Sequence, residues 1–267
     1  MSELEKDLDR DRWHSPVSTL ADGSILIRGY PIAELIEHLA FSEAAYLVIR
    51  GELPSPADAT LFDACLCAIL DYAMGPAPYA ARVVASANPQ LGPALAAGVL
   101  AQGAYAVSPQ EAGEFIAQAL HTWRSQGESV DGAAAVVVDE VLREGRRIPG
   151  FGRPSNHGPD ERAAALERVI RSSGKWGDAS ELYTAVHRRW LDRSGKELVI
   201  NVDGMLAVAL TELGFRPVEM GGVAALSFLP GIIANAVEEI TSGVKIRQIP
   251  GLRYTGPKKR HLDDRHG

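Results

Sequence analysis

The chain has 267 residues, a formal net charge of −7 and 46% hydrophobic residues, enough to fill one large core or two smaller lobes. The acidic balance argues against nonspecific nucleic-acid binding, and no unbroken apolar run approaches a membrane span. The charged stretch from Met1 to Arg12 predicts no secretory signal. Cys65 and Cys67 lie two apart in a helical pattern, so they suit neither a disulfide nor a metal pair. The seven histidines lack metal-ligand spacing. The expectation is a protein of the reducing cytoplasm, without metal, membrane or nucleic-acid partners.

In chain order, residues 1–12 read as a frayed end or a polar helix. Trp13 to Thr19 and Ser24 to Arg28 read as extended pieces around an Asp22-Gly23 turn, a hairpin. Pro31 is placed at the first position of a helix carrying Ile32, Leu35, Ile36 and Leu39. Ser42 with Glu43 predicts the start of a second helix ending at Gly51, and Ser55 caps a third from Pro56 to about Ala73. Helices are then predicted at 78–87, 90–105, 109–125, 130–144, 160–173, 178–193, 200–213, 217–227 and 230–241. Alanine-rich segments poor in β-branched residues favour close helix packing over sheet. From Ile246 onward the chain reads as an irregular tail able to wrap over a neighbour.

Residues 146–162 stand out. Arg146 and Arg147 precede an Ile148-Pro149-Gly150-Phe151-Gly152 turn, and an Asp160-Glu161-Arg162 run opens the next helix. Gly150 and Gly152 admit backbone angles closed to other residues. Pro149 and Pro154 stiffen the turn. Free backbone N–H groups beside two arginines suit a phosphate-bearing ligand; the alternative is a surface loop with solvated cations.

Several stretches together resemble the citrate synthase family. Ile27-Arg28-Gly29-Tyr30, Glu34-Leu35, Phe41-Ser42-Glu43-Ala44 and Gly51-Glu52-Leu53-Pro54-Ser55 are similar to its N-terminal signature. Ile148 to Gly152 resembles its turn. Trp13, the short length, Asn201-Val202-Asp203-Gly204 and the Tyr254-Thr255-Gly256-Pro257 tail with Arg260 resemble the short citryl-CoA lyases, including the lyase module of ATP-citrate lyase.

The resemblance implies an all-α homodimer with a short N-terminal hairpin. A large domain would come from residues 1–106 and 207–267, and a small closing domain from 107–206. It also implies chemistry that makes or breaks a carbon–carbon bond between an acyl-CoA and a keto acid. The CoA thioester is substrate, and no cofactor is tightly held. In such chemistry a carboxylate takes the α-proton of the thioester, donors steady the resulting oxyanion, and arginines clamp carboxylates. By position, Asp203 is the base, and Arg162 and Arg260 are substrate clamps. Arg146, Arg147, Ile148, Pro149, Gly150 and Gly152 form the CoA-binding turn. Read without the resemblance, Asp203 also fits a helix N-cap before Gly204, and Arg162 a solvated first-turn cation unfavourable for the helix dipole. Arg260 also fits as one more cation in a Lys-Lys-Arg run.

The chain departs from the family at its imidazoles. Arg153 stands where a histidine should follow Phe151-Gly152, and Asn156 replaces a second, with His157 adjacent as a partial substitute or an exposed loop residue. Ala106-Val107-Ser108-Pro109 replaces a His-Gly-Gly-Ala motif, Met74 and Asn235 replace two further histidines, and Phe228 replaces an arginine. Losing one donor to a developing oxyanion costs about 100- to 1,000-fold in rate, and an apolar ring disfavours a tricarboxylate. Two readings follow. In one, the chain is a lyase or acyltransferase acting on a changed acyl-CoA, with Arg153 as the electrophile and Phe228 lining a less polar pocket. In the other, it is a catalytically silent paralogue that binds acyl-CoA or partners an active homologue.

Overall fold

The computed structural model describes residues 14–21, 23–72, 75–103, 106, 108–127, 129–152, 158–248, 251 and 253–261. An antiparallel sheet opens the fold, ordered β1 (Ser18–Ala21), β2 (Ser24–Ile27) and β3 (Tyr30–Pro31), with Ser18 facing Ile27 and Leu26 facing Pro31. The sequence predicts the first two strands. The third exists because Arg28 and Gly29 both take positive φ, the two-residue turn that hairpins favour. Pro31 therefore ends a strand, and the first helix starts one residue later.

Eleven helices follow among the described residues: α1 (Ile32–His38), α2 (Phe41–Arg50), α3 (Pro56–Cys67), α4 (Pro76–Ala87), α5 (Leu91–Leu100), α6 (Pro109–Gln126), α7 (Val130–Arg143), α8 (Glu161–Ser172), α9 (Asp178–Ser194), α10 (Val202–Glu212) and α11 (Pro217–Ser242). Ser55 caps α3, its Oγ accepting from Asp58 N at 3.2 Å. At α2 the cap is Ala40, not Ser42: Glu43 Oε2 accepts from Ala40 N at 2.8 Å, which leaves Ser42 inside the first turn. α3 stops short of Ala73, because the chain turns at Ala68. α5 stops at Leu100, and Gly103 and Ala106 then exchange both backbone hydrogen bonds, at 2.8 and 2.9 Å.

The largest difference is at Pro230, which does not divide the last segment. A proline inside a helix removes one hydrogen bond and costs about 3 kcal/mol. Here Met220, Val223, Ala224, Ser227, Phe228, Gly231, Ile232, Asn235, Ala236 and Glu239 form one uninterrupted buried stripe, which holds both halves in register. The undivided helix is long and apolar enough to cross a membrane by length and composition, unlike the two short pieces the sequence suggested. Half of its most apolar stretch is buried inside the fold, as in a core helix.

The larger core cluster runs from Tyr46 to Ala224 and draws on residues before 107, between 107 and 206, and after 206. α10 lies at its centre, in contact with α3, α6, α8, α9 and α11. Val202 and every residue from Gly204 to Leu210 are buried, so this helix is apolar on all sides. Asp203 is the single acid in its first turn. A smaller cluster joins α4, α5 and α11 through Ala77, Ala81, Ala85, Ala94, Phe228, Ile232 and Ala236. Its small side chains let the helices approach closely: a Cβ on Gly98 would lie 2.5 Å from Ile232 Cγ2.

Candidate active site

The glycine turn lies directly on the N-terminal end of α10. Asn201 N donates to Gly150 O at 2.9 Å, Gly152 N donates to Val199 O at 2.8 Å, and Phe151 bridges Ile200. Asn201 also caps α10: its Oδ1 accepts from Gly204 N at 3.0 Å while its Nδ2 donates to Gly152 O at 2.8 Å. The N-cap is therefore Asn201, and Asp203 is left free of that role. Tyr183, on α9 and 2% exposed, donates its hydroxyl to Pro149 O at 2.6 Å. Phe151 stands edge-on to both Tyr183 and His187, with centroids 5.2 and 5.1 Å away, and His187 Nε2 bonds Leu198 O at 2.7 Å.

Beside this turn sits an acid–base cluster. Asp160, the N-cap of α8, is 2% exposed. Its Oδ1 accepts from Arg162 N and Nε, both at 3.1 Å, and its Oδ2 accepts from Arg162 Nη2 at 2.9 Å and from Val202 N at 3.1 Å. One carboxylate thus caps one helix, holds Arg162 by a two-point contact and ties the start of α10 to the start of α8. The Arg162 guanidinium also lies over the Tyr72 ring, 5.6 Å from its centroid. The contact with Arg162 holds the Asp160 carboxyl below the usual range against the opposing effect of burial.

Asp203 behaves oppositely. Burial pushes its carboxyl above the usual carboxylate value, and the nearby Asp160 charge adds to this. The Ser108 backbone N–H, which sits against the carboxylate, and the Arg162 charge offset part of the rise. Asp203 Oδ1 is buried with no hydrogen-bond partner among the described residues. A half-buried carboxylate with one oxygen buried and unpartnered, next to a cation and raised above its ordinary value, is the electrostatic pattern of a general base. Burial, with the Asp203 charge adding to it, pushes the Tyr183 phenol well above its ordinary value, keeping that hydroxyl a proton donor to Pro149.

The structure brings together Asp203 and Arg162, and it seats Pro149, Gly150 and Gly152 on the helix that carries Asp203. Ile148 is 3% exposed and belongs to the larger core cluster, so it anchors the turn from beneath. Arg146 and Arg147 are exposed, and Arg146 pairs with Glu144. The backbone N–H groups of Phe151 and Gly152 are spent inside the fold, on Ile148 O at 3.3 Å and Val199 O at 2.8 Å. Anion binding at this turn would therefore fall mainly to the two arginine side chains. Phe228 is 2% exposed within the α4–α5–α11 cluster. Asn235 bonds Arg82, Asp71 and Gly231 O rather than facing solvent alone. Arg260 is exposed in the tail beyond the helices. Met74, Arg153, Asn156 and His157 lie outside the described residues.

Sequence reasoning missed Asp160, Tyr183, Asn201 and Tyr72. Asp160 carried a readable signal, since an aspartate ahead of a helix is a preferred cap. Asn201 carried the same one. Tyr183 looks like any apolar residue at helical spacing, and only its contact with Pro149, across 34 positions in sequence, reveals its role.

The fold is helical and seats a glycine turn on the helix of a raised acid, and comparison with known proteins narrows what class of protein this is. The sequence profile described as "Citrate synthase, C-terminal domain" matches residues 54–248. The citryl-CoA lyase of Hydrogenobacter thermophilus is similar at 30% identity with a TM-score of 0.85, covering 94% of this chain and 97% of that one. This chain belongs to the citrate synthase family. The ATP citrate lyase of Methanothrix soehngenii, solved with citrate and coenzyme A, shares the fold at 16% identity and a TM-score of 0.76. The match covers 97% of this chain and 45% of that one. The citrate synthase of Thermoplasma acidophilum, solved with carboxymethyl coenzyme A and oxaloacetate, matches at 18% identity and a TM-score of 0.66, over 85% of this chain and 60% of that one.

Proposed function

We propose that this protein acts on the acyl part of a CoA thioester, making or breaking a carbon–carbon bond, with Asp203 as the base. The observation that carries the reading is the Asp203 carboxylate: raised, buried and unpartnered at Oδ1, and on the helix against which the glycine turn is packed. The turn with Arg146 and Arg147 holds the CoA phosphates. Arg162, already positioned by Asp160, faces a substrate carboxylate. Arg153, next in sequence to Gly152, polarises the second carbonyl. An arginine donates to an oxyanion but does not shuttle protons, which favours cleavage or enolate formation over full citrate synthesis.

The chain works as a cytoplasmic homodimer in this reading. Leu91–Leu100 contains no charged residue, and Val99 and Leu100 on it, with Ile233 and Val237 on α11, are exposed apolar residues suited to a second copy. Residues 107–206 form the part that closes over substrate.

A second reading, a silent acyl-CoA-binding paralogue, is favoured by one feature: Arg162 already has a two-point carboxylate partner in Asp160. Thermal shifts with CoA and a panel of acyl-CoAs, followed by citryl-CoA cleavage and oxaloacetate–acetyl-CoA condensation assays, separate the two. The enzyme reading expects stabilisation by CoA, cleavage or exchange with one thioester, and no more than feeble citrate synthesis. Stabilisation without turnover supports the silent paralogue. No shift with CoA overturns both readings.

A further inference from the structure

Phe228 is packed inside the α4–α5–α11 cluster. The aromatic ring that reaches solvent beside the acid–base cluster belongs instead to Tyr72, in the connection from α3 to α4. Tyr72 is 50% exposed, and Arg162, whose guanidinium lies against its ring at 5.6 Å from the centroid, keeps an exposed side as well. Ring and cation are thus open to a ligand together.

The chain around Tyr72 fixes the ring in place. Leu70 and Asp71 pack on the backbone of α11, where a Cβ on Gly231 would lie 2.9 Å from Asp71 Cβ. Asp71 Oδ1 accepts from Asn235 Nδ2 at 3.2 Å, and Asn235 Oδ1 accepts from Arg82 Nε at 2.8 Å. On the other side Gly75 N donates to Tyr72 O at 2.6 Å, and a Cβ on Gly75 would lie 3.2 Å from Tyr72 Cδ1. A ring already held in place loses little freedom when a ligand covers it.

Arg162 has limited room for a ligand. Asp160 takes its Nε and Nη2 and Tyr72 stands against the guanidinium, so the Nη1 end of the fork is what remains. Its charge is offset by Asp160, and the same Asp160 accepts from Val202 N, one residue before the acid Asp203. A ligand with a second carboxylate would bring it against two acids. The exposed part of the Tyr72 ring offers contact to carbon instead.

We infer that Tyr72 is a specificity-determining residue: with Arg162 it receives an α-keto acid that has one carboxylate and an apolar or aromatic remainder, and it disfavours a dicarboxylate. The carboxylate meets Arg162 at Nη1, and the remainder lies on the ring. This names the keto-acid class for the proposed reaction, and it rests on the CoA-thioester reading of the same site.

Calorimetric titration of the full chain, saturated with CoA, tests the preference with three acids: phenylpyruvate, α-ketoisocaproate and oxaloacetate. The unaltered chain is expected to bind the first two about 10-fold more tightly than oxaloacetate, the scale of an aromatic contact with a buried apolar group. Tyr72→Ala is expected to weaken those two about 10-fold and to leave oxaloacetate unchanged, so that the preference disappears. Tyr72→Phe keeps the ring and is expected to keep the preference. A structural role alone would weaken all three acids alike and lower the melting temperature, which is measured on each protein. Tighter binding of oxaloacetate by the unaltered chain, equal weakening of all three acids in Tyr72→Ala, no weakening in it, loss of the preference in Tyr72→Phe, or binding of none of the acids overturns the role of the Tyr72 ring. Stabilisation of the unaltered chain by CoA leaves the thioester reading standing in each of those cases. Failure of CoA to stabilise it overturns the thioester reading and this inference with it.

Discussion

Gly150 and Gly204 touch across the joint between the glycine turn and α10. A Cβ built on Gly204 would lie 2.7 Å from Gly150 O and 2.6 Å from Tyr183 Oη, and one built on Gly150 would lie 2.5 Å from Gly204 Cα. Gly150 also holds φ at 81°. The obstacles are backbone and a buried phenol, neither of which yields easily. Gly204→Ala is therefore expected to lower unfolding free energy by about 1–3 kcal/mol, as overpacking does, and to weaken stabilisation by CoA. Urea unfolding with and without CoA measures both effects.

Tyr183→Phe removes one oxygen and leaves the part-buried Pro149 carbonyl without its donor. The expected cost is about 1–3 kcal/mol, the penalty for an unsatisfied buried polar group. Turnover is expected to fall more than CoA affinity, because the turn loses its fix on the helix of Asp203 while Arg146 and Arg147 remain. Equal affinity and equal turnover in the variant would place Tyr183 in the core alone.

Asp203→Asn separates function from stability. The folded carboxyl is raised above its unfolded value, so the folded state keeps a proton that the unfolded state releases. The cost of ionising it grows as pH rises through the folded value and is absent below the unfolded one. The amide removes that cost. Its melting temperature is expected to exceed that of the unaltered chain at neutral pH and to converge with it below about pH 4. A lower melting temperature at neutral pH would make the carboxylate a structural group.

Asp160 and Glu239 show the opposite linkage. Both are held below their ordinary values, Asp160 by Arg162 and Glu239 first by Arg247 and then by Arg82. Their contribution is present above the ordinary carboxylate range and is lost as pH falls through the lower folded values. Acid unfolding should therefore begin below about pH 4. Asp160→Asn should cost about 1–3 kcal/mol at neutral pH and lessen the acid dependence. That is less than a fully buried pair is worth, because the Arg162 side chain remains 30% exposed. Melting curves from pH 3 to 8 on both proteins check the sign.

Much of the helical order was legible because caps and periodicity agree, as at Ser55 and in Val130–Arg143. The undivided α11 was not, since a local rule at Pro230 is outweighed by a buried stripe that only tertiary packing creates. At the site, the Asn-Val-Asp-Gly stretch and the glycine turn pointed to each other through family resemblance. The joint between them depends on Tyr183 and Asn201, whose partners lie tens of residues away. The sequence offers Arg162 as a substrate clamp, by resemblance, or as a solvated first-turn cation. The carboxylate it meets in the structure lies two residues earlier, in Asp160. Sequence spacing alone does not tell an N-cap that turns back onto its own helix from one facing solvent.

The account depends most on Asp203 acting as a base toward a CoA thioester. Deuterium incorporation at the α-carbon of a panel of acyl-CoAs in D2O, followed by mass spectrometry, measures this without requiring the second substrate. The expected result is exchange into at least one thioester by the unaltered chain, reduced about 100-fold or more in Asp203→Asn. Exchange into none of the panel, or equal exchange by both proteins, would contradict it.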